Sequence, residues 1–353
     1  MSFPLAEWID SHADCRYNLG LSGMRGSIPA PVPTPAEVRA ADEADLRRRI
    51  ARDLGVDTRR AFLTTGASAA NAMVVLFLER AREGAESAKC RVCYPEYPPL
   101  FDVAREAGFR LTDSLDRVDL AVVSQPRNPE GNVWDRSRFL EWTSGARSVL
   151  VDETFREFAA TPSLVGTDRP GLWTTGSFTK FFAGDDVRVG FLVAPEEPAE
   201  EFARFHGLAA NHLSPFAVAG ASRALRDREQ TRVRVRKILD RNVAALRALL
   251  PRCLPPRAPV AFDRPGPADA GDRLARRALR SSVLVCSGSF FGDPSGVRLC
   301  LTRRSFPVDL AAYLRVRDAA HPGREESTGG RPTTGRGARR RPAGSVRGKV
   351  SPS

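Results

Sequence analysis

Along this chain, short runs of consecutive apolar residues alternate with longer stretches whose apolar positions recur three and four apart. "AFLTTGASAANAMVVLFLERARE" opens as a short apolar strand, turns at a Thr-Gly pair and continues as a helix. "KCRVCYPEYPPL" predicts a strand entering a Pro-punctuated loop, and "FDVAREAG" predicts the helix after it. "VDLAVVSQPRNPEG", "RSVLVDETF" and "GLWTTGSFTK" each read as a buried strand that ends in a polar loop. Upstream, "AEVRAADEADLRRRIARDLGV" reads as one or two helices closed near Gly55, while residues 1–35 read as irregular and end in the Pro-rich "IPAPVPTP". Apolar strands without polar alternation, separated by helices, predict a parallel, doubly wound α/β sheet. Ligands of such sheets gather beyond the carboxyl ends of the strands, and the unusual residues of this chain fall there.

From about residue 216 the pattern changes to a long Arg-rich helical stretch, followed by short strands at "PVAFD", "SVLVCSG" and "GVRLCLT". This predicts a smaller α+β domain. The expected organisation is an N-terminal segment (1–40) joining the small domain, a large ligand-binding domain (41–215), the small C-terminal domain (216–318) and a tail (319–353).

Composition adds little to that picture and removes several alternatives. A hydrophobic content of 42% and a mean hydropathy of −0.29 describe a chain with enough apolar residues for a sizeable core. No apolar run approaches the roughly 18 residues of a membrane span. The acidic start "MSFPLAEWIDSH" lacks a basic region before an apolar run, so no signal peptide is expected. Six cysteines in 353 residues are no disulfide framework, and a reduced, cytoplasmic setting is the expectation. The net charge is +12, but half of it lies in residues 321–353, which carry seven Arg and one Lys against two Glu. That Gly, Pro, Ser, Thr and Arg tail cannot bury enough apolar surface to offset its ordering entropy and is expected to be disordered. It could bind polyanions without specificity; no specific nucleic-acid partner is expected. Cys90 and Cys93 form a lone C-x-x-C, and the four histidines are scattered, so no metal site is predicted.

The strand-end loops each supply a group suited to a charged, planar, phosphorylated ligand. Gly66, Ala67 and Ser68 sit where a strand turns into a helix, whose free N–H groups and positive end suit a phosphate. Tyr97 could lay its ring on a planar ligand, and Asn128 is a polar group fixed between two prolines in "QPRNPEG". Asp152 ends the apolar run "SVLVD", where a partly desolvated carboxylate seeks a cation, either a structural arginine or a protonated ring nitrogen. Ser177, Thr179 and Arg188 make a second set of phosphate ligands. Among 54 Lys+Arg only four are lysines, and one of them is Lys180 in "SFTKFFAGDDVRVG". Flanked by apolar Phe178, Phe181 and Phe182 and by cations, its amine should have a lowered pKa, which makes it a candidate imine-forming nucleophile. An arginine could carry the charge there but could not form the imine.

In this order and spacing, "SQPRNPEG", "VDETFREF" and "SFTKFFAGDDVRVG" resemble the aminotransferase class I/II family, the fold-type-I enzymes of pyridoxal 5′-phosphate, over roughly residues 15–318. The resemblance implies that Lys180 binds the cofactor as an imine and moves protons at the substrate α-carbon, while Asp152 pairs with the ring nitrogen. It further implies that Asn128 donates to the ring 3′-oxygen, that Tyr97 stacks on the ring, and that Ser177, Thr179, Arg188 and the Gly66–Ser68 turn share the phosphate. "CSGSFFGDPSGVRLCLT" is similar to the family's C-terminal signature, in which Arg298 would grip the substrate α-carboxylate and Gly23 would lie under it. The implied activity is aminotransfer between amino-acid and oxo-acid substrates by a homodimer. The chain departs from the family in three places: Phe155 stands where a tyrosine donor is usual, a tyrosine-bearing "Y…G…LR" segment is missing upstream, and "NPEG" replaces "NPTG". These departures leave open a decarboxylase, lyase or cyclase on the same fold, and a third reading is a non-catalytic binding protein acting through its basic tail.

Overall fold

Seven strands build the central sheet: β1 (Ala61–Thr64), β2 (Lys89–Val92), β3 (Arg110–Thr112), β4 (Val118–Ser124), β5 (Ala146–Asp152), β6 (Leu172–Ser177) and β7 (Gly190–Val193). They come from a computed structural model that describes residues 4–81, 88–210, 212–253 and 256–319. The strand order is β1-β7-β6-β5-β4-β2-β3, and every pairing is parallel except those of β7, which runs antiparallel to both neighbours. Alternate residues of the central strands serve two cores. Leu120, Val122 and Leu150 pack with Phe77, Trp173 and Phe202 on one face, and Ala121, Val149 and Val151 pack with Trp134 and Phe139 on the other. Burial on both faces is why these strands read as unbroken apolar runs. Each buried Val or Leu contributes about 1.5–3 kcal/mol, so Val149, Leu150 and Val151 together hold β5 rigid although it ends in a buried carboxylate.

A second sheet, order β9-β10-β8, is antiparallel and consists of β8 (Val260–Asp263), β9 (Cys286–Ser287) and β10 (Val297–Cys300). The helices Arg228–Leu249, Ala270–Arg280 and Phe306–Asp318 supply Leu246, Leu274, Ala278, Phe306 and Leu310 to its core. The stretch "SVLVCSG" is divided rather than one strand: Val283–Leu284 pairs in parallel with Tyr17–Asn18, and only Cys286–Ser287 joins β10.

The expectation of an irregular N-terminus is corrected at its start, while most of residues 11–34 is irregular as expected. Pro4–Asp10 is a helix, too short for a readable period, whose Leu5 packs on Cys286 and Phe291 while the indole of Trp8 donates to Val285 O at 2.8 Å. "AEVRAADEADLRRRIARDLGV" forms two helices, Pro35–Arg39 and Glu43–Leu54, the second closed by Gly55 at φ 68°. The expected disordered tail, from residue 320 onward, lies outside the described residues; Ala319 caps the last helix.

Candidate active site

The register of the central sheet brings the chemistry to one edge. Ser124 pairs with Asp152 and Asp152 with Thr175, so three strand ends stand side by side. Because β7 runs antiparallel, its first residue, Gly190, lies opposite both Thr64 and Ser177, which returns Arg188 to the same edge. A cavity of about 630 Å³ opens there, within the usual range for small-molecule sites. The candidate cofactor and substrate residues all line it: Gly23, Gly66, Ala67 and Ser68, Tyr97, Asn128, Asp152, Ser177, Thr179, Lys180, Arg188 and Arg298.

At one end of the cavity the helix Ala67–Arg80 begins without a side-chain cap, and its N-cap Gly66 has φ 104°, ψ 166°. Only glycine adopts that conformation readily. Arg188 stands over this turn, its Nη2 4.0 Å from where a Gly66 Cβ would lie, and its own backbone is held at φ 53°. The strand and the turn approach closely because residue 190 is glycine: a Cβ there would lie 2.3 Å from the Gly66 carbonyl carbon. Ser177 Oγ and Thr179 Oγ1 are 2.8 Å apart, and the Thr179 N–H donates to Ser177 Oγ at 3.1 Å. Among the described residues no carboxylate pairs with Arg188. Free helix N–H groups, a guanidinium and two hydroxyls therefore converge on a volume suited to a dianion.

In the middle, Asp152 is buried with both oxygens engaged. Oδ2 accepts from Asn71 Nδ2 at 2.9 Å, and Oδ1 accepts from the Thr154 N–H at 2.8 Å. Tyr97 stands close enough to feel that charge. Burial first, then Asp152, pushes its phenol up to about 12, while a side-chain hydrogen bond with Ser68 acts the other way. Lys180 has a lowered pKa. Burial is the leading cause, Asp185 opposes it, and the positive charges of Arg298 and Arg188 add to it.

At the far wall Arg298 is buried at 2% exposure. Its Nη2 donates to Gly20 O at 2.9 Å, Nη1 donates to Asn128 Oδ1 at 3.3 Å, and its Nε has no partner. Spending the Asn128 oxygen on Arg298 leaves the amide NH2 as the group that can donate to a ligand oxygen. Gly23 lies against Lys180 and Asp185: a Cβ at 23 would sit 3.4 Å from Lys180 Cδ and 3.8 Å from Asp185 Oδ2, and the Met24 N–H donates to Lys180 O at 2.8 Å. Phe155 lines the cavity and packs with Val260 and Cys300, so an apolar ring occupies that part of the wall.

The family model for aminotransferase class I and II matches residues 40–305, three quarters of the chain. The chain belongs to the aminotransferase class I and II family. A threonine-phosphate decarboxylase from Pseudomonas aeruginosa is 31% identical over 90% of this chain and 92% of its own length. A histidinol-phosphate aminotransferase from Thermococcus kodakarensis is 27% identical over 60% of this chain and 61% of its own. Among solved structures, a histidinol-phosphate aminotransferase from Sinorhizobium meliloti in complex with pyridoxal-5′-phosphate superposes with a TM-score of 0.71 at 16% identity, covering 89% of this chain and 94% of that one. The pyridoxal-phosphate-dependent cyclase OrfR superposes at 0.70 with 22% identity, covering 90% and 98%.

Membership of this aminotransferase family makes the fold type-I and the cofactor pyridoxal 5′-phosphate. The residues fit that group. The uncapped helix start under Arg188 suits its phosphate, a buried carboxylate held by two donors suits a ring nitrogen, and a primary amine of lowered pKa suits covalent attachment.

Several buried residues around this cavity carry no mark in the sequence. Asn71 is buried in the helix after Gly66 and links Asp152 to Thr175, whose Oγ1 donates to Asn71 Oδ1 at 2.6 Å. Glu96 and Arg127 form a buried pair behind the cavity, and Asp185 Oδ2 is buried without a hydrogen-bond partner. A short polar residue inside "ASAANAM" and an Asp-Asp pair before "VRVG" were the only signals, and neither has a period or spacing to mark it. Cys90 is buried in β2 and Cys93 follows the strand; among the described residues no group of three metal-ligating side chains is assembled.

Proposed function

We propose that this family member is an aminotransferase that acts on a small amino acid or a close analogue, with the cofactor attached through Lys180 Nζ. In that reading Asp152 meets the ring nitrogen, Asn128 donates to the 3′-oxygen, and Tyr97 covers the ring. Gly66, Ala67, Ser68, Ser177, Thr179 and Arg188 hold the phosphate. When bound, the cofactor supplies an electron sink for charge developing at the substrate α-carbon.

The observation that carries the reading is the pairing of Lys180 with Arg298. Lys180, its pKa lowered by burial and two arginines, is a neutral amine over a wider pH range and so suits a base that takes a proton from the α-carbon. Arg298 offers a buried guanidinium to the α-carboxylate, and its orphan Nε has a donor to spare. A charge-assisted grip stabilises the carboxylate as an anion, which favours reactions that keep it over those that expel it as neutral carbon dioxide. Gly23 and Met24, packed on Lys180, restrict where the freed amine can swing.

Decarboxylation is the second reading, favoured by the relative that is 31% identical over nearly its whole length and by Phe155, which supplies no hydroxyl to the wall. Threonine-phosphate decarboxylase and histidinol-phosphate aminotransferase are both named for phosphorylated substrates. In this chain Arg25 lines the mouth of the cavity and pairs with Asp186 only at an exposed 3.4 Å, so it is available to a substrate phosphate. Incubating the purified enzyme with histidinol phosphate, O-phosphothreonine and common amino acids, with and without 2-oxoglutarate, separates the readings. Amine transfer that requires the oxo acid supports aminotransfer; carbon dioxide release independent of it overturns that reading in favour of decarboxylation. A homodimer in the cytoplasm belongs to the same proposal, and light scattering that gives a monomer mass in the active enzyme would remove the dimer from it.

A further inference from the structure

Two buried charges behind the cavity tie together the loops that carry Tyr97 and Asn128. Glu96 and Arg127 are both fully buried, their side chains form an ion pair, and neither lines the cavity. Glu96 Oε1 accepts from the Tyr97 N–H at 2.6 Å and from Ser124 Oγ at 2.5 Å, while Oε2 accepts from the Ser124 N–H at 2.9 Å. Ser124 Oγ in turn accepts from the Asn128 N–H at 2.8 Å. Arg127 closes the ring from the other side, its Nη2 donating to Cys93 O at 2.5 Å and Pro95 O at 2.8 Å, with its guanidinium 4.9 Å from the Trp134 ring centre. The loop after β2 and the loop after β4 are thus joined by one carboxylate, one guanidinium and one hydroxyl.

Stability alone does not call for this arrangement, because a buried ion pair contributes little over well-packed apolar residues of the same volume. Its distinctive effect is geometric. It ties the Tyr97 N–H directly, and the Asn128 N–H through Ser124 Oγ, to the one oxygen Glu96 Oε1, so a shift of either loop strains the other.

We propose that Glu96 and Arg127 are positioning residues that hold the Tyr97 ring and the Asn128 amide in register, with Ser124 as the link to Asn128. The proposal rests on the reading of Tyr97 and Asn128 as cofactor-binding. A donor at the ring 3′-oxygen stabilises the oxyanion, so losing or misplacing it raises the pH midpoint of the bound cofactor's visible band.

The experiment uses the full-length enzyme and four substitutions: Glu96→Gln, Ser124→Ala, Asn128→Ala and Tyr97→Ala. Pyridoxal 5′-phosphate affinity is read by titrating the apoprotein, the visible band is followed against pH, and far-UV circular dichroism checks folding. Asn128→Ala is expected to raise the midpoint, and Ser124→Ala and Glu96→Gln are expected to raise it in the same direction and weaken cofactor affinity by about tenfold or more. The double substitution Ser124→Ala with Asn128→Ala should shift the midpoint no further than Asn128→Ala alone. Additive shifts in that double variant overturn the proposal, as do folded Glu96→Gln and Ser124→Ala proteins with unchanged midpoint and affinity. If Asn128→Ala and Tyr97→Ala themselves change neither quantity, the underlying reading fails instead. If Glu96→Gln does not fold, Ser124→Ala, which leaves no charge unpaired, decides the matter.

Discussion

At the scale of single residues, the role proposed for Lys180 gives two predictions. Replacing it with alanine should abolish the visible cofactor band that shifts on adding an amino acid, whereas the unaltered enzyme shows it; absorption spectra of the two proteins check this. The second concerns pH. The folded chain holds the Lys180 proton less tightly than the unfolded chain, whose lysine keeps the ordinary value of 10.5. Between the lowered pKa and 10.5 the unfolded state therefore binds more protons, and stability rises with pH across that window. Denaturant unfolding of the apoprotein at several pH values, compared with Lys180→Met, should show that slope only where the lysine is present. Arg298 gives a third. Arg298→Gln should raise KM for amino-acid substrates by about ten- to a hundredfold, as expected for a charge-assisted hydrogen bond of roughly 1.5–3 kcal/mol, while the protein still binds its cofactor. A KM left unchanged would remove Arg298 from substrate recognition.

At the scale of elements, the phosphate end depends on how closely β7 approaches the turn before the helix Ala67–Arg80. Gly190→Ala places a Cβ 2.3 Å from backbone that has nowhere to retreat, so the strand and Arg188 must move away from Gly66. The expected result is a loss of about 1–3 kcal/mol of stability together with weaker cofactor binding, read by thermal melts and titration. Gly207→Ala is the control: it lies in the helix Ala199–Ala209 with open space around its Cβ, and should stabilise the chain by about 0.5–1 kcal/mol. Equal effects at the two glycines would mean the close approach at Gly190 is unimportant.

At the scale of the whole molecule, the N-terminal segment joins sequence-distant parts of the site. Tyr17–Asn18 pairs with Val283–Leu284, Gly20 O receives Arg298, and Met24 binds the Lys180 carbonyl. Ending the chain at residue 319 removes half of the net charge without touching these contacts. We expect that shortened chain to keep its cofactor spectrum and activity. A salt-sensitive complex of the full chain with DNA, absent from the shortened one, would instead assign the tail a binding role. The division into domains at residue 216 stays a proposal that limited proteolysis checks: nicking between 210 and 214 that leaves two protected fragments supports it.

The alternation of buried strands and helices, and the residue types at the strand ends, are written in the local order of residues. Both are local: burial on two faces demands unbroken apolar runs, and the roles proposed for the amine, the phosphate turn and the strand-end carboxylate each demand a particular side chain at a particular place. Lys180, Asp152, Gly66 and Arg188 were legible for that reason. Which strand ends are neighbours was left to the fold, since strand order and register are set by packing between segments far apart in the chain. It alone aligned Ser124, Asp152 and Thr175, gave Asn71 to Asp152, and closed the Glu96–Arg127 ring. It also turned the opening residues, too few for a period of their own, into a helix held by Trp8 and Leu5, because a seven-residue segment takes its structure from what it packs against.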